Sequence, residues 1–169
     1  RDGHFTNLGV ASGIVAGLVA ITPACGFVLP GPAIVIGLIA GAVCSYAIGL
    51  KVRFGFDDAL DVVGVHFVGG VVGVFLIGLL ATVTMTGHIS GLFYGGGIGQ
   101  LGKQCLGIVV VAAYAFGVTF VLATVLNKLV GFRISQEDEI SGIDFAEHAE
   151  TAYSEGVHGH QVNRKPGLF

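Results

Sequence analysis

Charged residues are scarce in this chain of 169 amino acids. Asp, Glu, Lys and Arg together make up 11% of it, whereas a soluble domain has about 25%. The basic residues form no cluster or stripe, so nothing in the sequence indicates binding to nucleic acid. Hydrophobic residues make up 53% of the chain, and the mean hydropathy is +0.85. The composition therefore predicts an integral membrane protein.

Cysteine is also rare, and its three occurrences lack the spacing of a metal site. Cys25, Cys44 and Cys105 lie far apart within apolar sequence. An odd number of isolated cysteines argues against a disulfide framework, so we expect them to be buried as small hydrophobic residues. We predict that the chain holds no metal and no cofactor.

Four apolar segments predict transmembrane helices within residues 1–132, because about 20 apolar residues suffice to cross a bilayer. The predicted spans cover residues 8–22, 33–50, 59–81 and 101–130. Residues 133–169 are polar and predict a soluble tail. With four spans, one side of the membrane receives Arg1, Lys51, Arg53, Lys128 and Arg133, and the other side receives Lys103. The positive-inside rule then predicts a cytoplasmic C-terminus.

Three prolines interrupt the apolar sequence between the first two predicted spans. Pro23, Pro30 and Pro32 occur within ten residues, and proline disrupts the interior of a helix. Non-helical backbone at membrane depth occurs only where it is buried in protein or lines a cavity. The break therefore indicates either a transport path or a plain apolar loop between two helices.

The third predicted span contains two ionisable residues, Asp61 and His66. Such groups inside a membrane cost on the order of 2.5–3.5 kcal/mol each and usually face a protein interior or a water-filled path. A neutral histidine can donate at one ring nitrogen and accept at the other, which suits a proton or a small polar solute. The alternative is a packed histidine that bonds to a neighbouring helix.

Glycine occurs 29 times and follows two different patterns. Small residues four positions apart let membrane helices approach closely; they are Gly9, Gly13, Gly17, Gly37, Gly41, Gly69 and Gly73. Residues 82–102 are glycine-rich in a different way and resemble a phosphate-binding loop only in composition. The Gly-Lys-Ser/Thr ending of such a loop is absent, so we predict an ordinary loop in which His88 binds nothing.

Three stretches together resemble the signatures of the ammonium transporter family (Amt/Mep, with the Rhesus-type proteins as relatives). They are residues 17–26, residues 57–66 and residues 142–153. The resemblance implies an all-α, polytopic membrane helical bundle that is part of an eleven-helix fold with inverted repeats. The chain would supply the last four transmembrane helices and the cytoplasmic tail. It also implies a homotrimer in the cell membrane with one hydrophobic pore per subunit.

The resemblance assigns expected roles to single residues of this chain. His66 would be the second of two stacked pore histidines that relay a proton while ammonia moves separately. Val62 would lie near the cytoplasmic end of the pore, and Thr22 would approach the pore from the broken segment. Asp58 and Asp61 would lie at the inner mouth and order the backbone there, rather than bind the cation.

The chain departs from the family pattern in two respects. Phe67 stands where the family commonly has a glycine, directly after the pore histidine. The chain has no tryptophan, so it does not itself carry the tryptophan of the family's external cation site. The first pore histidine and the phenylalanine gate belong to the seven helices that we expect to precede this part.

The polar tail carries the third signature. In the family this segment couples the subunits and can contact a PII-type signalling protein; its motif residues here are Gly142, Asp144, Glu147, His148, Glu150 and Tyr153. The alternative is a disordered, solvated extension.

The sequence leaves three candidate functions for the whole protein. The first is transport of ammonium or ammonia across the lipid bilayer, and the second is an ammonium sensor that signals through the tail. The third is a membrane enzyme that uses Asp61 and His66. These two residues are five positions apart and point in different directions on a regular helix, and no nucleophile or metal set accompanies them. We therefore predict that the chain is not an enzyme.

Overall fold

The computed structural model describes residues 6–131 and 133–150, and these residues form helices and turns without any strand. The predicted all-α class is confirmed for this part of the chain. The elements are α1 (Asn7–Ile21), α2 (Pro30–Phe54), a π-helical turn (Val62–Phe67), α3 (Val68–Leu80), α4 (Val83–Thr86), a 3-10 turn (Leu92–Tyr94), α5 (Gly97–Leu129), α6 (Gln136–Ser141) and α7 (Ile143–His148).

The chain divides into two structural units. The first ends at Gly117 and contains α1–α4 with the start of α5, and the second begins at Val118, within α5, and contains α6 and α7. Within the described residues, three continuous helical stretches are long and apolar enough to cross a membrane: α2, the π-helical turn with α3, and α5. Helix α1 has 15 residues, fewer than the about 17–25 of a typical span.

Helix α2 is longer at both ends than the predicted span. It begins at Pro30, because a proline in the first turn replaces an amide that would have no helical partner. It ends at Gly55, whose φ of 68° closes the helix and whose amide donates to the carbonyl of Lys51 at 2.8 Å. Pro30 and Pro32 therefore lie in the first turn of α2, whereas Pro23 lies in the segment before it.

The break itself lies at residues 22–29, between α1 and α2, and is buried in part. Ala24 and Val28 are buried in a core with Ala20 and Ile36. The carbonyl of Phe27 accepts a hydrogen bond from the amide of Thr82 at 3.0 Å. Non-helical backbone is thus paired with a residue just after α3, as expected where such backbone is buried in protein.

Small residues let α1, α2 and α3 pack closely, as predicted for part of the glycine pattern. A Cβ atom at Gly73 would lie 2.1 Å from the carbonyl oxygen of Ala20, and one at Gly69 would lie 3.2 Å from Val19 Cγ1. Cβ atoms at Gly13 and Gly41 would meet no described atom within 4 Å. Close approach therefore involves the C-terminal half of α1 and the start of α3.

Candidate functional site

The helical stretch that carries His66 starts at a carboxylate that lies outside it. Asp58 is 9% exposed, and its Oδ1 accepts from the amide of Val62 at 2.7 Å. Its Oδ2 accepts from the amides of Val63 at 3.0 Å and Gly64 at 3.3 Å. The first amides of a helix have no helical partner, and Asp58 supplies partners for three of them. The helix therefore begins at Val62, three residues after the predicted start at residue 59.

A second carboxylate at the same place is paired with the end of α2. Asp61 has a positive φ of 54°, and its Oδ1 accepts from Nζ of Lys51 at 2.5 Å. The same ammonium donates to the carbonyl oxygen of Asp58 at 2.8 Å. The side chains of Lys51 and Asp61 are 25% and 22% exposed. Asp61 is thus a bonded residue in front of the helix and not an isolated carboxylate within a span.

His66 lies in the π-helical turn that follows. Its neighbours Val62, Val63 and Phe67 are 52%, 43% and 54% exposed, and His66 itself is exposed. The preceding residue, Val65, is buried in a cluster with Ala16 and Cys44. Within the described residues, the imidazole makes no hydrogen bond, so they do not supply the partner that a packed histidine would need.

The other predicted positions are arranged as follows. Thr22 is exposed at the end of α1, and its Oγ1 donates to the carbonyl of Leu18 at 2.6 Å; no hydrogen bond joins it to His66 in the described part. Asp58, Asp61 and Val62 come together at one helix start. His88 lies exposed in a turn, where its amide donates to Oγ1 of Thr86 at 3.3 Å.

The cysteines only partly follow the prediction. Cys44 is buried, and its thiol donates to the carbonyl of Val65 at 3.8 Å. Cys105 is partly buried. Cys25 is exposed, so the prediction of burial is wrong there, because the turn after Pro23 directs this position outward. No group of three His, Cys, Asp or Glu residues that could hold a metal occurs among residues 6–131 and 133–150.

Sequence reasoning did not find the π-helical turn or the Lys51 contact. A π-helical turn has no reliable residue pattern, although such turns are frequent at functional sites. The signal that could have indicated the contact is charge: Lys51 is a cation a few residues before three carboxylates. Pairing partners in the fold cannot be chosen from that spacing alone.

The tail, as far as it is described, is helical rather than extended. Ser135 caps α6 by accepting from the amide of Asp138 at 3.2 Å. Gly142, with φ of 96°, separates α6 from α7. Asp144, Glu147 and His148 lie in α7, and the amide of Glu150 donates to the carbonyl of Asp144 at 3.2 Å. Tyr153 lies outside the described residues.

An ion pair supports the start of the tail. Nε of Arg133 donates to Oε1 of Glu139 at 2.7 Å, and its second nitrogen, Nη2, donates to Oε2 at 2.9 Å. These hydrogen bonds to Arg133 lower the pKa of Glu139 below its ordinary value. The two-point geometry orients the side chain of Glu139 within α6.

We predict that acid loosens α6. A carboxyl whose pKa is lowered by folding stabilises the folded form above its ordinary pKa, and this contribution is lost as the pH falls through the lowered pKa. Hydrogen-exchange protection of the α6 amides in the intact protein, corrected for intrinsic rates, should fall as the pH drops below the ordinary glutamate range. Glu139→Gln should remove this dependence. A wild-type profile that matched the Glu139→Gln profile would contradict the assignment.

The comparison with known proteins decides the family. The profile of the Ammonium Transporter Family matches residues 1–153. This chain belongs to the ammonium transporter family. The match includes every residue of the candidate site and confirms the resemblance drawn from the three signatures. Together with the long apolar helices, it identifies a membrane protein.

Individual members of the family agree with this result. The ammonium transporter of Mycobacterium tuberculosis strain H37Rv is 52% identical over 163 residues, which are 93% of this chain and 34% of that protein. The crystal structure of Saccharomyces cerevisiae Mep2 has a TM-score of 0.71 and 37% identity, covering 80% of this chain and 32% of that one. A structure described as a sensor Amt protein has a TM-score of 0.75 and 31% identity, covering 88% of this chain and 36% of that one. The chain thus spans about a third of the length of these relatives.

Proposed function

We propose that this chain forms the C-terminal part of an ammonium transporter and that His66 relays a proton along its pore. The observation that carries the proposal is the position of His66 in a member of this family. The imidazole lies on the exposed apolar side of a membrane helix and has no hydrogen-bond partner among the described residues. An unpaired ionisable group in such a helix is a functional candidate by default.

The physical argument favours a relay over passage of the intact cation. An ammonium ion in space lined by hydrocarbon loses its hydration at a large cost in free energy. If the ion releases its proton, a small neutral molecule can cross the apolar segment. A neutral imidazole accepts a proton at one nitrogen and donates one from the other, so His66 can pass the charge on without storing it.

The neighbouring residues take supporting roles in this proposal. Val62 precedes His66 in the same π-helical turn and lines the cytoplasmic end of the pore. Thr22 approaches the pore from the packed break after α1. Asp58 and Asp61 order the backbone at the inner mouth, which is supported by their hydrogen bonds to three helix amides and to Lys51. Both carboxylate oxygens of Asp58 and Oδ1 of Asp61 are engaged by the protein itself.

We propose that the whole transporter is an eleven-helix homotrimer of the cell membrane. The large exposed apolar surface supports burial against lipid and further helices, since soluble proteins rarely expose such patches. Leu38, Tyr114 and Leu106 are 70%, 71% and 65% exposed. The basic residues Lys51 and Arg53 in the last turn of α2 support a cytoplasmic face at this end.

The tail is assigned to regulation within the same proposal. Ile140, Ile143 and Phe145 are 81%, 53% and 59% exposed on two short helices, so they offer an apolar surface to another part of the assembly. We propose that the tail couples the subunits on the cytoplasmic side and is the contact for a PII-type signalling protein. Its motif residues Gly142, Asp144, Glu147, His148, Glu150 and Tyr153 would shape that contact.

The test is His66→Ala in the natural protein, reconstituted in liposomes. Removing a proton-transfer group typically costs about 100-fold or more, so we expect the ammonium-dependent current to fall by about that factor at equal protein amount. His88→Ala, which removes an exposed histidine from a turn, should leave the current unchanged. An unaltered current in His66→Ala would exclude the relay.

An ammonium sensor is the second candidate. It is favoured by the likeness to the structure described as a sensor Amt protein, at a TM-score of 0.75. A sensor would show an ammonium-dependent response of a cytoplasmic partner with little or no ammonium flux. Flux and partner response measured in the same cells would therefore separate the two functions.

A further inference from the structure

The helix that carries His66 is supported on one side by the backbone of α2. A Cβ atom at Gly64 would lie 2.9 Å from Cγ1 of Ile48 and 3.1 Å from its Cα and N atoms. Cys44, one turn earlier in α2, donates its thiol to the carbonyl of Val65 at 3.8 Å. The π-helical turn is therefore seated on α2 through Gly64 and Val65, with His66 next along the chain.

The residue before the turn has a left-handed backbone. Asp61 has a φ of 54°, a conformation that few residues other than glycine adopt, with asparagine and aspartate the commonest exceptions. This conformation stops the helix at Val62. If Asp61 relaxed into the right-handed region, the helix could extend by a residue, and the π-helical turn could revert to the more stable α-helical spacing. Such a change of spacing would rotate His66 relative to α2.

Lys51 contacts Asp61 in this conformation. Its ammonium bonds to Oδ1 of Asp61 at 2.5 Å and to the carbonyl of Asp58 at 2.8 Å. Lys51 belongs to α2, the same helix that supports Gly64 and Val65. The contact between Lys51 and Asp61 therefore joins α2 to the residue that precedes the π-helical turn.

We propose that Lys51 and Asp61 form a positioning pair that sets the orientation of His66. The pair keeps Asp61 left-handed, which maintains the π-helical turn and directs the imidazole toward the pore. Lys51 and Asp61 do not touch the transported molecule and act through the backbone. This inference rests on the proposed relay role of His66.

The experiment compares matched variants of the natural protein in liposomes, at equal amounts of folded protein. Current and uptake of labelled ammonium analogue are measured together, and their ratio gives the charge moved per molecule. We expect Lys51→Gln and Asp61→Asn to lower this ratio by about tenfold, because small displacements of a reacting group have effects of this order or larger. Lys51→Arg keeps the positive charge and should leave the ratio close to that of the wild type. Arg53→Gln and Asp57→Asn remove the same charges from neighbouring positions and should leave it unchanged.

A second comparison isolates the backbone conformation. Asp61→Gly and Asp61→Ala both remove the ion pair, but glycine adopts a positive φ without steric cost and alanine does not. We therefore expect Asp61→Ala to lower the ratio more than Asp61→Gly. Equal ratios in these two variants would overturn the proposal, as would Lys51→Gln lowering current and uptake by the same factor. If Lys51→Gln fails to fold, this glycine–alanine comparison decides alone.

The double variant separates this inference from the proposed function. In the His66→Ala background, Lys51→Gln should have no further effect on the ratio, because the group that it positions is gone. A ratio that is unchanged in His66→Ala alone would overturn the relay itself. A ratio that falls in His66→Ala but not in Lys51→Gln would overturn only the positioning role.

Discussion

Replacing Asp58 with alanine is expected to lower the free energy of unfolding by about 2–4 kcal/mol, since a buried donor without a partner costs about 1–3 kcal/mol and a lost helix cap about 0.5–2 kcal/mol. The carboxylate accepts from the amides of Val62, Val63 and Gly64. Alanine has no acceptor, and the amide of Gly64 lies in a buried residue. Denaturant unfolding of the natural protein in detergent, followed by circular dichroism, measures the loss.

The adjacent carboxylate provides the control for this prediction. Asp57 is exposed and makes no hydrogen bond among the described residues, so Asp57→Ala should change the free energy of unfolding by less than about 0.5 kcal/mol. Asp58→Asn retains one acceptor oxygen and should fall between the two. Equal losses for Asp57→Ala and Asp58→Ala would show that the cap contributes nothing.

Replacing Gly73 with alanine is expected to cost about 3 kcal/mol or more, at or above the upper end for overpacking. The added Cβ atom would lie 2.1 Å from the carbonyl oxygen and 2.9 Å from the carbonyl carbon of Ala20. Both are backbone atoms of α1, so no side-chain rotation can relieve the overlap. Helices α1 and α3 would have to separate, which would open the core formed by Ala20, Leu76 and Ile77.

Gly70→Ala is the matched control, three residues earlier in the same helix. A Cβ atom at Gly70 would meet no described atom within 4 Å, and alanine is favoured over glycine in a helix by about 1 kcal/mol. Retention of folded protein in detergent during heating should therefore fall sharply for Gly73→Ala and stay the same or rise for Gly70→Ala. Similar losses of folded protein in both variants would show that α3 tolerates alanine poorly in general. The contact between Gly73 and Ala20 would then not explain the effect.

Much of this protein could be predicted from sequence because the evidence was local. Hydropathy alone identified the apolar segments. A membrane helix satisfies all of its backbone hydrogen bonds within one segment, so each span is visible as one continuous apolar run. The signature around Asp58 and His66 placed the candidate site and indicated the family. The prediction that Asp58 and Asp61 order the backbone also came from the resemblance, and it remains a prediction for the assembled pore.

Two expectations differ from the structure. The predicted start of α2 was too late, because a proline interrupts a helix interior but is tolerated in a first turn. The exposure of Cys25 depends on how the turn after Pro23 packs. Burial of this residue was expected from its apolar surroundings in the sequence, which do not specify the direction of a side chain.

The amino-acid sequence by itself determined the membrane class, the family, the order of the apolar segments and the presence of His66 among them, because hydropathy and short signatures are properties of neighbouring residues. The tertiary structure alone decided that the helix carrying His66 begins at Val62, that Asp61 is left-handed, and that Lys51 bonds to it. These features depend on contacts between α2 and a segment that follows it by up to ten residues. Asp61 pairs with the ammonium of Lys51, and Asp58 pairs with the helix amides. This assignment depends on how the two helices pack.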